Sequence, residues 1–141
     1  MKKILIVNAN YYNKISNNLI IGSVKRLKRY RIKPSIISVP GVFEIPIAIR
    51  KNIKKFDGFI ALGCVIKGKT PHFDFICRST FDAIMRISIE YNKPIGNGII
   101  TSLNMSQALE RSSHNTKLSK PNKGFEAANA VISILDNESK K

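Results

Sequence analysis

A short apolar segment, a loop rich in glycine and lysine, and a helical pattern follow one another between Gly58 and Tyr91. The segment from Phe59 to Leu62 is continuously apolar, as expected of a strand buried on both faces. The loop after it carries two glycines, two lysines, a threonine and a histidine, and a helical pattern begins at about Asp74. A buried strand, a reactive loop and a helix are therefore predicted. In open α/β sheets, ligands bind where such loops leave the carboxyl ends of the strands.

The same alternation continues along the whole chain, whose 141 residues suit a single domain. The predicted strands are Ile4 to Val7, Ile36 to Val39, Phe59 to Cys64 and a segment within Ile95 to Leu103, and the predicted helices begin at about Ser16, Glu44, Asp74, Ser106 and Phe125. Ser16 and Ser106 are expected to be N-caps. Strands that alternate with helices favour a parallel sheet covered on both faces. We predict one domain over residues 1–141, an α/β flavodoxin-like three-layer sandwich with a four-stranded parallel sheet.

The predicted helix from Asp74 to Tyr91 has two distinct faces. Four charged residues of alternating sign lie four apart and form a solvated face, namely Arg78, Asp82, Arg86 and Glu90. Four apolar residues are expected on the buried face, namely Phe81, Ile84, Met85 and Ile89. We interpret this apolar stripe as core.

The loop before this helix has the residue types of an anion site. Gly63 and Gly68 allow close approach of the backbone to a ligand, and the two lysines and Thr70 supply charge and a hydroxyl. The helix that follows presents its positive end to the same place. His72 can transfer a proton near neutral pH. Phosphate binding with proton transfer is one hypothesis, and a basic surface loop with a solvated histidine is the other.

Residues 63–70 also match the phosphate-loop pattern G-x-x-x-x-G-K-[ST], which raises the alternative of a nucleotide hydrolase. Such an enzyme needs a second strand that ends in an aspartate for magnesium. The only later strand ends at Leu103 and Asn104, without a carboxylate. This interpretation is therefore disfavoured.

The charge is strongly positive, with 24 Lys and Arg against 9 Asp and Glu and a formal net charge of +15. This balance favours anionic partners, and a basic nucleic-acid-binding domain is a further alternative. The sequence contains no nucleic-acid-binding motif, and its basic residues are scattered. We expect a small anionic substrate and no nucleic-acid partner.

Cys64 and Cys77 are the only cysteines, and their spacing fits neither a metal site nor a redox motif. Reduced thiols in a cytoplasmic protein are expected. The apolar run at the N-terminus is too short for a signal peptide, and no run approaches the roughly 18 residues of a membrane span. We expect no membrane partner.

Four ordered stretches of the chain resemble the motifs of the lumazine synthase family. They are Val39 to Pro46, Ala61 to Asp74, Pro94 to Thr101 with Gln107 to Arg111, and Asn122 to Gly124 with Glu126 to Ala128. This resemblance covers nearly the whole chain. It implies an enzyme, a transferase that condenses 5-amino-6-ribitylaminouracil with 3,4-dihydroxy-2-butanone 4-phosphate in the penultimate step of riboflavin biosynthesis. It implies no metal and no redox cofactor.

The resemblance also implies a role for each site residue. The pyrimidine would stack on Tyr11, and Glu44 would accept hydrogen bonds from the ribityl chain. Largely backbone contacts would come from Val42, Phe43, Cys64, Val65, Ile66 and Asn97. The phosphate would be bound by Gly68, Lys69, Thr70 and Arg111. His72 would carry the proton, Lys123 would lie near the site, and the spacing of Asp74 favours a role in orienting His72. Asn97 and Lys69 depart from the residues most common in the family.

The resemblance implies assembly as well. Family members form pentamers whose sites lie between subunits, so that Asn97 and Arg111 face Tyr11 and His72 of the partner subunit. The segment between Arg111 and Asn122 is about four residues longer than in capsid-forming members, a comparison by resemblance that favours pentamers, single or paired, over shells. Riboflavin synthase is the implied protein partner.

Overall fold

Strands and helices alternate along the chain in the computed structural model, which describes residues 2–114 and 122–139. The strands are β1 (Ile4–Ala9), β2 (Ser35–Val39), β3 (Gly58–Ile66) and β4 (Ile95–Ser102). The helices are α1 (Asn13–Lys28), α2 (Ile45–Lys51), α3 (His72–Tyr91), α4 (Met105–Ser112) and α5 (Lys123–Ser139), and a 3₁₀ turn at Val42–Glu44 precedes α2.

The four strands form one parallel sheet in the order β2-β1-β3-β4. The central β1 aligns Ile6 with Ile36 of β2 and with Ile60 of β3. Parallel strands need crossover connections, and the helices supply them. The predicted α/β flavodoxin-like three-layer sandwich with a four-stranded parallel sheet is confirmed.

Helices cover both faces of the sheet. Successive side chains of a strand point to opposite faces, so one strand contributes to two core layers. Ile4 and Ile6 of β1 lie in a core layer with residues of α1, α4 and α5. Leu5 and Val7 lie in a second layer with residues of α2 and α3. All four side chains are buried. This two-sided burial explains why β1 and β3 are apolar without alternation, whereas β2, at one edge of the sheet, is largely exposed within one chain.

Helices α1 and α4 both begin before their predicted N-caps. Ser16 lies inside α1, where its hydroxyl donates to the Tyr12 carbonyl oxygen at 3.1 Å. Helix α4 is capped by Asn104, whose Oδ1 accepts from the Gln107 N–H at 2.9 Å, and not by Ser106. The predictions of Ser16 and Ser106 as N-caps are therefore wrong. In α4 an asparagine two residues before Ser106 accepts from an N–H of the first turn, and the helix begins directly after it.

Helix α3 begins at His72, two residues before the predicted start, and only part of its apolar stripe is buried. Ile84 is buried and Phe81 is half-buried, whereas Met85 is 62% exposed and Ile89 is 73% exposed. The predicted burial of Met85 and Ile89 is therefore wrong for a single chain. Only part of the apolar face of α3 packs against the sheet, and these two residues lie outside that part. The four charged residues of the other face are exposed, as predicted.

Among the described helices, none is long and apolar enough to cross a lipid bilayer. The segment that led us to predict pentamers over shells falls mainly on residues 115–121, which lie outside the described residues.

Candidate functional site

A cleft of about 610 Å³ opens at the carboxyl ends of β1 and β3, beside the first turn of α3. We call it the aromatic cleft; it is lined by Tyr11, Tyr12, Gly41, Val42, Phe43, Glu44, Cys64, Val65, Ile66, His72 and Ile76. Eight of the fifteen site residues predicted from the sequence lie here. The remaining seven lie elsewhere on the chain.

Two adjacent tyrosines form one wall of the aromatic cleft. Tyr11 follows the end of β1 and is 76% exposed, so one face of its ring is free for stacking. The Tyr12 ring meets it edge-to-face, with ring centroids 4.9 Å apart and an interplanar angle of 78°. Tyr12 also packs against the core layer next to α1. It therefore connects the exposed ring to the interior of the protein.

The 3₁₀ turn places three consecutive side chains in different environments. Val42 is buried in the core, Phe43 is 59% exposed, and Glu44 is half-buried. The turn is closed by the Glu44 N–H, which donates to the Gly41 carbonyl oxygen at 3.2 Å. A buried anchor thus holds an exposed ring and a carboxylate at the rim of the aromatic cleft.

The end of β3 supplies the floor of the aromatic cleft. Burial raises the pKa of the Cys64 thiol to about 11, although a hydrogen bond with Ser102 acts in the opposite direction. The thiol is therefore protonated at neutral pH and is a poor nucleophile. Val65 and Ile66 continue the floor and are half-buried.

His72 is the first residue of α3 and is exposed at the rim of the aromatic cleft. The backbone N–H of His72 donates a long hydrogen bond of 3.4 Å to the Thr70 hydroxyl oxygen, and no side chain caps the helix in the usual way. Free N–H groups at the start of a helix attract anions. Among the described residues, no hydrogen bond joins Asp74 to His72, so the orienting role of Asp74 stays a prediction.

The loop between β3 and α3 is exposed. Gly68, Lys69 and Thr70 lie on it next to His72 and outside the lining of the aromatic cleft. Gly63 lies inside β3, where a Cβ would come within 2.7 Å of the Val42 side chain. The prediction that Gly63 allows approach to a ligand is therefore wrong, because that position is needed for packing against the 3₁₀ turn.

The same geometry argues against a phosphate loop. Gly63 to Ile66, the first half of the pattern, are paired strand residues of β3 and do not form a loop. Helix α3 begins only at His72, two residues beyond the pattern's threonine. A phosphate loop must wrap around a phosphate with consecutive backbone N–H groups, and half of this segment uses its backbone in the sheet.

A second cleft, of about 480 Å³, runs along the outer strand β4 between α3 and α5. We call it the basic cleft; it is lined by Phe81, Asn97, Ile99, Ile100, Thr101, Arg111, Lys123 and Glu126. Arg111 lies in the last turn of α4, and Lys123 begins α5 and forms a 3.8 Å ion pair with Glu126. The Asn97 side chain accepts from the Ile99 N–H at 3.0 Å, so its amide oxygen is used locally.

The two clefts share no lining residue. One chain therefore brings Tyr11, Glu44 and His72 together but does not bring Asn97 or Arg111 to them. Sequence reasoning missed Tyr12, which could have been found from its position beside Tyr11. It also gave no site role to three residues that line the basic cleft. Phe81 was interpreted as core, and Thr101 and Glu126 were noted only as parts of the family motifs.

Comparison with known proteins gives a family match over residues 1–138, to the family described as 6,7-dimethyl-8-ribityllumazine synthase. The chain belongs to the lumazine synthase family. A 6,7-dimethyl-8-ribityllumazine synthase of Bartonella tribocorum is 40% identical over 135 residues, which cover 94% of this chain and 87% of the relative. One of Campylobacter jejuni is 39% identical over 139 residues, with 95% and 88% covered. One of Methylorubrum populi is 38% identical over 140 residues, with 94% and 80% covered.

Membership of the lumazine synthase family confirms the resemblance found in the four motifs and, with it, the expectation of a transferase enzyme of riboflavin biosynthesis. Neither the nucleotide-hydrolase alternative nor the nucleic-acid-binding alternative is supported by these matches.

Proposed function

We propose that this lumazine synthase condenses 5-amino-6-ribitylaminouracil with 3,4-dihydroxy-2-butanone 4-phosphate and releases 6,7-dimethyl-8-ribityllumazine, phosphate and water. The observation that carries the proposal is the aromatic cleft, which places a free aromatic face, a carboxylate and a histidine beside the uncapped start of α3. The aromatic face suits a planar heterocycle, the carboxylate suits a polyhydroxyl chain, and the start of the helix suits a phosphate.

In this proposal the uracil stacks on Tyr11, and its ribityl hydroxyls donate hydrogen bonds to Glu44. The backbones of Val42 and Phe43, and of Cys64 to Ile66, bind the polar edges of the substrate. The buried position of Val42 supports this role, since a fixed backbone is preorganised for binding.

The phosphate is assigned to the loop at the start of α3, with Gly68, Lys69 and Thr70 around it. The helix dipole and the Lys69 ammonium group favour a dianion there. Arg111 of a neighbouring subunit would add a planar pair of donors, which suits phosphate oxygens. Lys123, which lines the same basic cleft as Arg111, adds a second positive charge.

The chemistry consists of proton transfers on positioned reactants. The 5-amino group attacks the ketone carbon, and loss of water gives an imine. Removal of a proton from the adjacent carbon lets phosphate leave, and the resulting enol tautomerises to a ketone. The ribityl-bearing nitrogen attacks this ketone, and loss of a second water closes the ring. His72 is the proton carrier and contributes about 10²–10⁴-fold, while proximity supplies much of the remaining rate enhancement.

The direct test mixes purified protein with both substrates and follows the absorbance and fluorescence of the lumazine. Product formation well above the spontaneous rate is expected. The variant His72→Ala should lower turnover by about 10²-fold or more without abolishing it. His114, the other histidine, is exposed and lines neither cleft, so His114→Ala is the matched control. Unchanged turnover in His72→Ala would reject the role of His72, and no product from folded wild-type protein would reject the function.

The proposed assembly is a homopentamer with each site between two subunits. Its support is the division of the predicted residues between two clefts and a set of exposed apolar side chains around α2 and α3. These are Phe43, Ile47, Phe75, Met85 and Ile89. Exposed apolar surface of this kind marks contacts between proteins, and a neighbouring copy is the occupant that also completes the site.

Two further proposals concern the cellular location and the protein partner of the enzyme. The cytoplasm is the proposed location, where Cys64 and Cys77 would remain the free thiols that the structure shows. Riboflavin synthase is the proposed protein partner, because it would consume the lumazine that this enzyme releases. Co-sedimentation of the two purified proteins would test the partnership.

A further inference from the structure

Asn122 lies between α4 and α5, and its side chain is buried. All four of its hydrogen-bonding positions are used. The Nδ2 group donates to the Asn18 carbonyl oxygen of α1 at 3.1 Å and to the Ser112 carbonyl oxygen of α4 at 2.8 Å. The Oδ1 atom accepts from the N–H groups of Gly124 and Phe125 at 2.8 and 3.0 Å. A side-chain amide can make no more bonds than these.

These bonds cap the end of one helix and the start of the next. Ser112 is the last residue of α4, so its carbonyl oxygen has no partner within that helix. Gly124 and Phe125 are in the first turn of α5, so their N–H groups also lack partners within their helix. Asn122 satisfies both ends, and its own carbonyl oxygen accepts from the Glu126 N–H at 3.1 Å, as an N-cap residue does.

The bonded groups are direct neighbours of the two cations of the basic cleft. Arg111 precedes Ser112 in α4, and Lys123 follows Asn122 in α5. Both side chains line the basic cleft. Without the bond from Asn122 to Ser112, the end of α4 could move relative to the start of α5, and the two cations would no longer be held at a fixed separation.

We propose that Asn122 is a positioning residue that holds Arg111 and Lys123 together as one binding element for the phosphate of the substrate. This inference rests on the proposed function, because it assigns the phosphate of the butanone substrate to these cations. Asn122 itself does not line the basic cleft, so it acts through its neighbours.

The test compares Asn122→Ser with Ser23→Ala. A serine can still cap α5, but it is too short to reach the Ser112 carbonyl oxygen as well. The Ser23 hydroxyl donates to the Gly124 carbonyl oxygen at 2.8 Å in a buried bond at the same contact between α1 and α5. Its removal therefore weakens the same region without releasing α4. If Asn122→Ser does not fold, Asn122→Asp replaces it, because aspartate keeps the size and the cap but cannot donate.

Asn122→Ser should raise KM for the butanone phosphate about tenfold, because loosening the two cations costs roughly as much as one hydrogen bond to a charged group. KM for the uracil substrate and kcat should change less than about twofold, since the aromatic cleft is untouched. Ser23→Ala should leave both KM values unchanged. An equal rise of KM for the phosphate substrate in Ser23→Ala, or no rise in Asn122→Ser, would overturn the proposal.

Inorganic phosphate provides a readout that does not depend on turnover. Phosphate that binds the folded protein raises its melting temperature. This rise should be retained in Ser23→Ala and reduced in Asn122→Ser, and an equal rise in all three proteins would overturn the proposal. Failure of the proposed function would show differently, as wild-type protein that forms no lumazine.

Discussion

At the scale of single residues, Cys64 shows how the cleft wall controls chemistry. The thiol lies beside the groups proposed to bind the pyrimidine, where a thiolate would be a competing nucleophile. Burial raises its pKa to about 11, so it stays neutral when the enzyme works. Sequence reasoning gave Cys64 no nucleophilic role, and its environment supplies the physical reason.

The raised pKa of Cys64 predicts a dependence of stability on pH. The neutral thiol is favoured in the folded state, so its contribution is fully present below the ordinary pKa of 9.0 and is lost as pH rises toward 11. Denaturant unfolding of wild type and Cys64→Ala between pH 8 and pH 11 measures this contribution. The wild type should lose stability with rising pH more steeply than the variant. Parallel pH profiles would contradict the raised pKa of Cys64. Cys77 and Tyr12 are present in both proteins, so their contributions cancel in the comparison.

Two aromatic residues show the limit of sequence reasoning at this scale. The resemblance to the family identified Tyr11, but the ring beside it was left without a role. The edge-to-face contact of Tyr12 with Tyr11, and its packing on the core, exist only once α1 has folded back onto the sheet. Tyr11 and Tyr12 are neighbours in sequence, yet the packing that holds Tyr12 in place comes from core residues far away in sequence.

At the scale of elements, β1 and β3 could be predicted because burial on both faces leaves a clear apolar signal. The order of the helices could be predicted from their apolar periodicity. The starts of α1 and α4 could not. Several polar residues near each start could serve as a cap, and the final choice depends on tertiary geometry that local preference does not encode. The exposed part of α3 could not be predicted either, since an apolar stripe does not distinguish the core of one chain from a contact between chains.

The contact between α1 and α5 gives a prediction whose sign differs from that of helix propensity. Replacing a glycine inside a helix by alanine ordinarily stabilises the helix by about 1 kcal/mol. At Gly22, however, a Cβ would overlap the side-chain amide of Asn122. Gly22→Ala should therefore destabilise the protein by about 2 kcal/mol, which is typical of overpacking. Thermal unfolding at fixed protein concentration measures the effect.

Gly68→Ala is the matched control for Gly22→Ala. No atom lies within 4 Å of a Cβ at Gly68, and no described glycine has a positive φ. The control should leave stability within about 0.5 kcal/mol of wild type. A higher melting temperature for Gly22→Ala would show that α1 and α5 can separate enough to accept the methyl group.

At the scale of the whole molecule, the two clefts predict complementation between two variants of strongly reduced turnover. His72→Ala damages the aromatic cleft, and Arg111→Ala damages the basic cleft. If each site combines the aromatic cleft of one subunit with the basic cleft of its neighbour, randomly mixed oligomers contain intact sites at about a quarter of all positions. Co-refolded mixtures should regain that fraction of wild-type turnover. No recovery in mixed oligomers of confirmed composition would place the whole site within one subunit.

The position of α5 has a consequence for how the protein is made. This helix follows all the other described elements along the chain, yet it covers the same face of the sheet as α1 and packs against that first helix. Until it emerges, the isoleucines of β1 and β3 on that face have no complete cover. A nascent chain that lacks α5 should therefore expose an apolar sheet face and be prone to non-native association until this helix packs against α1.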